Sequence, residues 1–219
     1  MAYTAQRENK FFGWRSLMLR DNKIDFKKTS YLAVVDIGFR NTGKTYETLQ
    51  WIEDYISARK KYRVFIIMTL NHKKYRKFKT IKPNEIPGVT QGVCRLVIDE
   101  DDFPKVFKHI NHPDFENAMI IFEDASSYFT EDRLPKAVRK FIVDSKQKDM
   151  HLVFQYHCWA WVQLDYFRIV DFLRIHKTID TPETRKKYIG IYKEVEAVYI
   201  SVRDKPSPIY YAEEIRIGA

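Results

Sequence analysis

Short apolar runs take turns along this chain with stretches whose apolar residues recur every three or four positions. The runs Tyr31-Leu-Ala-Val-Val35, Arg63-Val-Phe-Ile-Ile-Met-Thr69, Cys94 to Ile98, Ala118 to Phe122, His151-Leu-Val-Phe-Gln155 and Phe172 to Lys177 read as buried strands. Between them, Tyr46 to Lys60 carries Tyr46, Leu49, Ile52 and Ile56 at helical spacing, and Leu134 to Ser145 sets Val138, Phe141 and Ile142 on one side. Phe103 to Ile110 and Leu164 to Asp171 read as further helices, and a turn-rich stretch surrounds Pro83, Pro87 and Gly88. Strands alternating with helices predict an α/β fold with a largely parallel sheet covered on both faces. In the tail, Ala197-Val-Tyr-Ile-Ser-Val-Arg203 and Ile209-Tyr-Tyr211 flank Lys-Pro-Ser-Pro, which predicts a C-terminal β-hairpin.

No repeat, low-complexity tract or flexible linker divides the 219 residues, a length that suits one domain. No apolar stretch approaches the roughly 20 residues of a membrane span, and the polar start lacks a secretion signal's apolar core, so an intracellular protein is expected. Cys94 and Cys158 stand far apart without metal-type spacing and read as reduced, structural thiols. The histidine pairs His109/His112 and His151/His157 lack a third ligand at a convincing spacing. Trp159 and Trp161 read as core in preference to a subunit interface.

The net charge of +9 has a location. Between Asp54 and Glu85 there are ten basic residues and no acidic one; the remaining 28 basic residues balance 29 acidic ones. Within this segment Lys73-Lys-Tyr-Arg-Lys-Phe-Lys79 interleaves cations with aromatics, as a surface gripping a nucleic-acid backbone would. The competing reading is a solvated loop anchored to the core by Tyr75 and Phe78.

Residues 38–45 read Gly-Phe-Arg-Asn-Thr-Gly-Lys-Thr, a complete Gly-x-x-x-x-Gly-Lys-Thr phosphate loop between a predicted strand and a predicted helix. Gly38 and Gly43 are expected to supply backbone angles that curl N–H groups around phosphate oxygens, and Asn41 tolerates the left-handed conformation. Lys44 adds a compact positive charge, the Thr45 hydroxyl suits Mg²⁺, and the helix dipole favours the anion. The candidate nucleotide-binding residues are Gly38, Phe39, Arg40, Asn41, Thr42, Gly43, Lys44, Thr45 and Tyr46, with ATP and Mg²⁺ as the expected cofactors.

A phosphate-loop ATPase needs carboxylates at the end of a neighbouring buried strand. Leu96-Val-Ile-Asp-Glu100 has a short apolar run that dissolves into Asp101 and Asp102, and reads as a solvated acidic loop. Met119-Ile-Ile-Phe-Glu-Asp124 has the better strand, with Glu123 on the metal side and Asp124 as the catalytic carboxylate. Some thirty residues later a strand ends at Gln155, whose amide is suited to touching both attacking water and γ-phosphate.

These ordered blocks resemble the FtsK/HerA-type DNA-pumping ATPases, including the small genome-packaging ATPases of membrane-containing, tectivirus-like viruses. The resemblance spans about residues 30–180 and rests on Gly38 to Thr45, the strand ending in Glu123-Asp124, Lys146 to Lys148, and Leu152-Val-Phe-Gln155 with Asp165 to Lys177. Glu-Asp replaces the family's usual Asp-Glu, and Asn41 stands where glycine is frequent. Phage morphogenesis proteins of the zonula-occludens-toxin type share the layout but typically add a membrane span.

The resemblance implies a three-layer RecA/FtsK-like P-loop NTPase of the ASCE type. Residues 1–29 would form an N-terminal extension, 30–180 the ATPase core and 181–219 the C-terminal hairpin region. It also implies a hexameric ring that threads double-stranded DNA, with segment Lys73 to Lys82 as a DNA-contacting loop, a viral portal or vertex protein as a further partner, and host cytoplasm or virion vertex as location. In such rings a neighbour supplies a basic residue to each site. Arg139, Lys146 and Lys148 stand near the family's position for it, with Arg168 and Arg174 as further options. Two alternative readings share the nucleotide site: a conjugation or recombination motor, and a small-molecule kinase with Arg133 to Lys148 as its lid.

Overall fold

The structure, a computed structural model, describes residues 24–205 and 211–217. Most of the N-terminal extension and residues 209–210 of the expected hairpin lie outside the described residues. Eight strands form one sheet: β1 (Leu32–Ile37), β2 (Arg63–Met68), β3 (Lys79–Thr80), β4 (Gly92–Val97), β5 (Met119–Phe122), β6 (His151–Tyr156), β7 (Phe172–His176) and β8 (Ala212–Arg216), in the order β3-β4-β2-β5-β6-β1-β7-β8. All neighbouring pairs are parallel except β7 with β8. The helices are α1 (Lys44–Ala58), α2 (Phe103–Ile110), α3 (Lys136–Asp144), α4 (Tyr166–Ile169) and α5 (Tyr192–Asp204).

The strands read as nearly unbroken apolar runs because both faces of the sheet are buried. Leu32, Val34, Ile66, Ile121 and Val153 pack with Trp51, Ile52 and Tyr55 of α1 on one face. Ala33, Val35, Ile37, Phe122 and Phe154 pack on the other with Val106 and Ile110 of α2 and Val138, Phe141 and Ile142 of α3. β6 lies between β1 and β5, so the loops that follow these three strands open side by side at the sheet's carboxyl edge.

The predicted strands and α2 recur within one or two residues, and α3 buries the three residues expected of it. α1 begins at Lys44, two residues earlier than predicted, and its buried face is Thr48, Trp51, Ile52 and Tyr55. Tyr46 is exposed, because the large rings of Trp51 and Tyr55 set which side faces the sheet. α4 is a single turn, shorter than predicted.

Residues 197–203 are not a strand. They lie in α5, whose buried Val195, Tyr199 and Val202 follow the four- and three-residue spacing of a helix, which overrides the β-branched character of the segment. The C-terminal antiparallel pair does exist, and β7 and β8 form it, from Phe172 opposite Arg216 to His176 opposite Ala212.

In the basic segment Lys73–Tyr75 is one turn of 3₁₀ helix; Tyr75 is fully buried and Phe78 packs half-buried against the α1-face core. The two aromatics therefore anchor the segment, which removes Tyr75 from any stacking on bases and leaves Lys73, Lys74, Arg76 and Lys77 exposed. Trp159 is core as expected, whereas Trp161 is 51% exposed. Cys94 and Cys158 are buried free thiols.

Candidate functional site

At the end of β1 the chain leaves the sheet between β6 and β7. Gly38 N–H donates to the Tyr156 carbonyl (3.0 Å) and Phe39 N–H to the Lys177 carbonyl (2.8 Å). Position 38 has no room for a side chain: a Cβ there would lie 2.5 Å from His176 Cβ and 2.8 Å from Thr42 Oγ1. Gly38 is thus required for close packing, whereas the left-handed angles belong to Asn41 (φ 63°) and Gly43 (φ 107°). The Thr42 hydroxyl donates to the Phe39 carbonyl (2.7 Å) and closes the loop, and α1 starts at Lys44.

The loop walls a cavity of about 320 Å³. Phe39 to Thr45 line it, together with Met68 at the end of β2 and Thr69, Leu70, His72 and Lys74 beyond it, Glu123 and Asp124 from beyond β5, and Gln155 and His157 from β6 and its exit. Two predicted nucleotide contacts, Gly38 and Tyr46, do not line it: Gly38 lies beneath the loop, and Tyr46 is exposed on α1.

Lys44 Nζ donates to the carbonyls of Gly38 and Phe39 (3.1 Å to the latter) and lies 3.4 Å from His157 Nδ1. Burial pulls its ammonium down to about 8, against the opposing charges of Asp36, Glu123 and Asp124. Glu123 is pushed up to about 7, chiefly by burial, with Lys44 opposing and Asp124 adding to the shift. A buried carboxyl of that kind gains from a cation. Thr45 lines the same cavity, so the oxygen donors there suit a Mg²⁺ carried in by phosphates rather than a dedicated protein cage. Among the described residues no group of three His, Cys, Asp or Glu is poised for a metal.

Asp124 turns the chain out of β5 with φ 54°, a conformation uncommon for a side-chain-bearing residue. Ser126 Oγ donates to its Oδ1 at 2.5 Å, and its Oδ2 lies 3.9 Å from His157 Nε2. The competing Asp99 lies away from this cavity and accepts from the Asp102 N–H as the cap of its own turn.

Beneath the phosphate loop lies a buried polar row that sequence reasoning missed. Gln155, Asp36 and Arg174 stand opposite one another on β6, β1 and β7, with Glu214 opposite Arg174 on β8. Arg174 Nη2 donates to Asp36 Oδ2 at 2.5 Å and its guanidinium lies 3.9 Å from the Trp51 ring centre; both charged side chains are fully buried. His176 Nε2 lies 2.9 Å from Asp36 Oδ1, and its Nδ1 is 3.0 Å from the Thr42 carbonyl oxygen. Burial alone would raise the Asp36 carboxyl, but Arg174 and then His176 hold it well below the usual carboxylate range. The one sequence signal for this row is an acid closing an apolar strand two residues before Gly38.

Arg139 and Lys146 do not line the cavity. Arg139 lies 3.8 Å from Asp165, which also pairs with Arg133 (3.0 Å). Lys146 sits 3.6 Å from Asp171, whose carboxylate accepts from Ala33 N–H near the start of β1, at the opposite edge of the sheet. Arg174 is ruled out as a residue reaching a neighbour, because its guanidinium is buried within its own subunit.

No family model and no curated protein matches the sequence. Among solved structures, the chain is similar to the genome packaging NTPase B204 from Sulfolobus turreted icosahedral virus 2 in complex with ATP-gammaS. That match has TM-score 0.67 and 15% identity over 86% of this chain and 93% of that one. The sulfate complex of the same protein gives TM-score 0.67 and 17% identity over 86% and 92%. B204 described as the DNA-packaging ATPase from Sulfolobus Turreted Icosahedral Virus gives TM-score 0.63 and 15% identity over 85% and 92%. The fold is therefore the one these NTPases share, in agreement with the P-loop fold that the resemblance implied.

Proposed function

We propose that this chain is an ATP hydrolase that drives double-stranded DNA, a genome-packaging motor of the FtsK/HerA type. The observation that carries the reading is the single cavity in which the phosphate loop, Glu123, Asp124 and Gln155 meet. Likeness in fold to NTPases named for genome packaging supports it.

In this reading Lys44 swings from the Gly38 and Phe39 carbonyls to the β- and γ-phosphates, while the loop's N–H groups hold the same oxygens. Thr45 and Glu123 would hold Mg²⁺, which when bound neutralises charge on the phosphates. Asp124 orients water for in-line attack and takes its proton, and Gln155 steadies that water from the neighbouring strand.

DNA is gripped by the exposed cations of the Lys73 to Lys82 segment. Lys74 belongs both to that segment and to the cavity wall, which is a short path from nucleotide to DNA. In a hexameric ring a neighbour contributes the basic finger, with Arg139 and Lys146 as candidates, and a portal or vertex protein receives the ring at the virion. No helix of the described residues is long and apolar enough to cross a membrane. A kinase lid in segment 133–148 is disfavoured, because α3 buries Val138, Phe141 and Ile142 in the core.

The test is ATP turnover with and without double-stranded DNA across a salt series. The reading expects stimulation by DNA that weakens as salt rises, and loss of turnover in Lys44→Ala. Normal turnover in that variant, or turnover indifferent to DNA, overturns it.

A further inference from the structure

His157 stands between the two ends of the site. It follows Gln155 by two positions, so it leaves the sheet on the same side. Its Nδ1 is 3.4 Å from Lys44 Nζ, its Nε2 is 3.9 Å from Asp124 Oδ2, and its ring meets the Trp161 indole edge-on at 6.4 Å between centres.

The chemistry of the neighbours selects one tautomer. An ammonium only donates, so Nδ1 is the acceptor and the ring hydrogen of the neutral imidazole sits on Nε2, facing Asp124. Burial first, and then the Lys44 charge, lower this imidazole from its ordinary value, with Arg40 adding and Asp124 and the Gly38 carbonyl opposing, which favours the neutral form. Asp124 needs such a guide. Its backbone is left-handed, Ser126 holds one carboxylate oxygen, and His157 faces the other.

We propose that His157 is a positioning residue for hydrolysis, whose Nε2–H aims the Asp124 carboxylate at the attacking water. Its link to Lys44 is broken when phosphate draws the ammonium away, and the exposed Trp161 feels the change. The proposal rests on the ATPase reading of the cavity. Without nucleotide the imidazole stands between Lys44 at 3.4 Å and Asp124 at 3.9 Å. With nucleotide Lys44 donates to phosphate oxygens, the ring is left to Asp124 alone, and its contact with Trp161 changes.

The experiment compares His157→Ala, His157→Gln and His157→Asn in the full chain, with Trp161→Phe as the optical control. A glutamine amide nitrogen reaches the place of Nε2, whereas an asparagine amide reaches only that of Nδ1. The expected result is a kcat about 10-fold or more below wild type for the alanine variant, with KM for ATP within about threefold. Glutamine restores most of the loss and asparagine does not. ATP-gammaS changes tryptophan emission in the wild type but neither in Trp161→Phe nor in His157→Ala, and Trp161→Phe keeps wild-type turnover. A wild-type kcat in His157→Ala, equal rates for glutamine and asparagine, or an emission change that survives in Trp161→Phe overturns the proposal. If His157→Ala does not fold, the glutamine–asparagine comparison decides. A wild-type chain that neither binds nor hydrolyses ATP defeats the reading of the cavity and the proposal with it; turnover that is indifferent to position 157 defeats the proposal alone.

Discussion

Gln155 and Asp36 stand opposite each other across β6 and β1, and the Gln155 amide nitrogen donates to Asp36 Oδ2 at 3.0 Å. The same nitrogen lies 2.8 Å from Thr48 Oγ1. With the nitrogen taken up inside the sheet, what Gln155 offers the cavity is its carbonyl oxygen. An acceptor suits the hydrogens of a water and repels the oxygens of a phosphate, so the dual contact expected from sequence reduces to one.

That assignment predicts a split between chemistry and binding. Gln155→Ala should lower kcat by about 100-fold, the scale of a positioned group acting on a reacting water, while the dissociation constant for ATP-gammaS stays within about threefold. Single-turnover rates and equilibrium titration separate the two, and an equal loss in both would return Gln155 to the phosphate.

The Asp36–Arg174 pair should matter to folding more than to turnover. Removing Asp36 leaves the fully buried Arg174 charge with only the half-buried Glu47, 3.5 Å away, to oppose it, a loss of about 3–5 kcal/mol. Asp36→Asn is therefore expected to shift the urea midpoint sharply down. The double variant Asp36→Leu, Arg174→Met should recover most of that loss, because apolar replacements of a buried pair are often neutral.

Glu123 makes the stability of the nucleotide-free protein depend on pH in a stated direction. Its folded-state value of about 7 exceeds the ordinary 4.5, so the folded chain binds more protons across that window. The stability it contributes is fully present below pH 4.5 and lost as pH rises through 7. Glu123→Gln, which cannot ionise, should melt several degrees higher than wild type at pH 8 and alike at the acid end, while losing hydrolysis. A melting series against pH checks the sign.

Lys44 works the other way round. Its value of about 8 is depressed by burial, and bound phosphate, which favours the ammonium, must raise it. Binding then takes up a proton, so ATP-gammaS affinity should be at its full value below pH 8 and fall above it, by up to about tenfold per pH unit. The fall should vanish in Lys44→Met, measured by titration calorimetry in two buffers of different ionisation heat.

Much of the architecture could be read along the chain because its signals are local. Phe103–Ile110 and the buried side of α3 follow from spacing alone, and strands β1, β2, β5 and β6 announce themselves as apolar runs. Where two local signals competed, only packing decided between them. The segment 197–203 carries β-branched residues at alternating positions, yet tertiary packing of Val195, Tyr199 and Val202 chose a helix. For Tyr75 and Phe78 the chain left two readings open, a grip on nucleic acid and an anchor to the core, and packing decided for the anchor.

The order of residues sufficed to place the phosphate loop and Glu123-Asp124, rather than Asp99, on one cavity, since both depend on what precedes them within a few positions: a buried strand, then the polar residue at its end. It could not supply the row Gln155, Asp36, Arg174 and Glu214, whose members are scattered between positions 36 and 214 and meet only through strand register. Nor could it bring His157 between Lys44 and Asp124, or send Lys146 to the far edge of the sheet. Those relationships are distances between strands that sheet pairing alone makes neighbours, and no local pattern encodes which strand lies beside which.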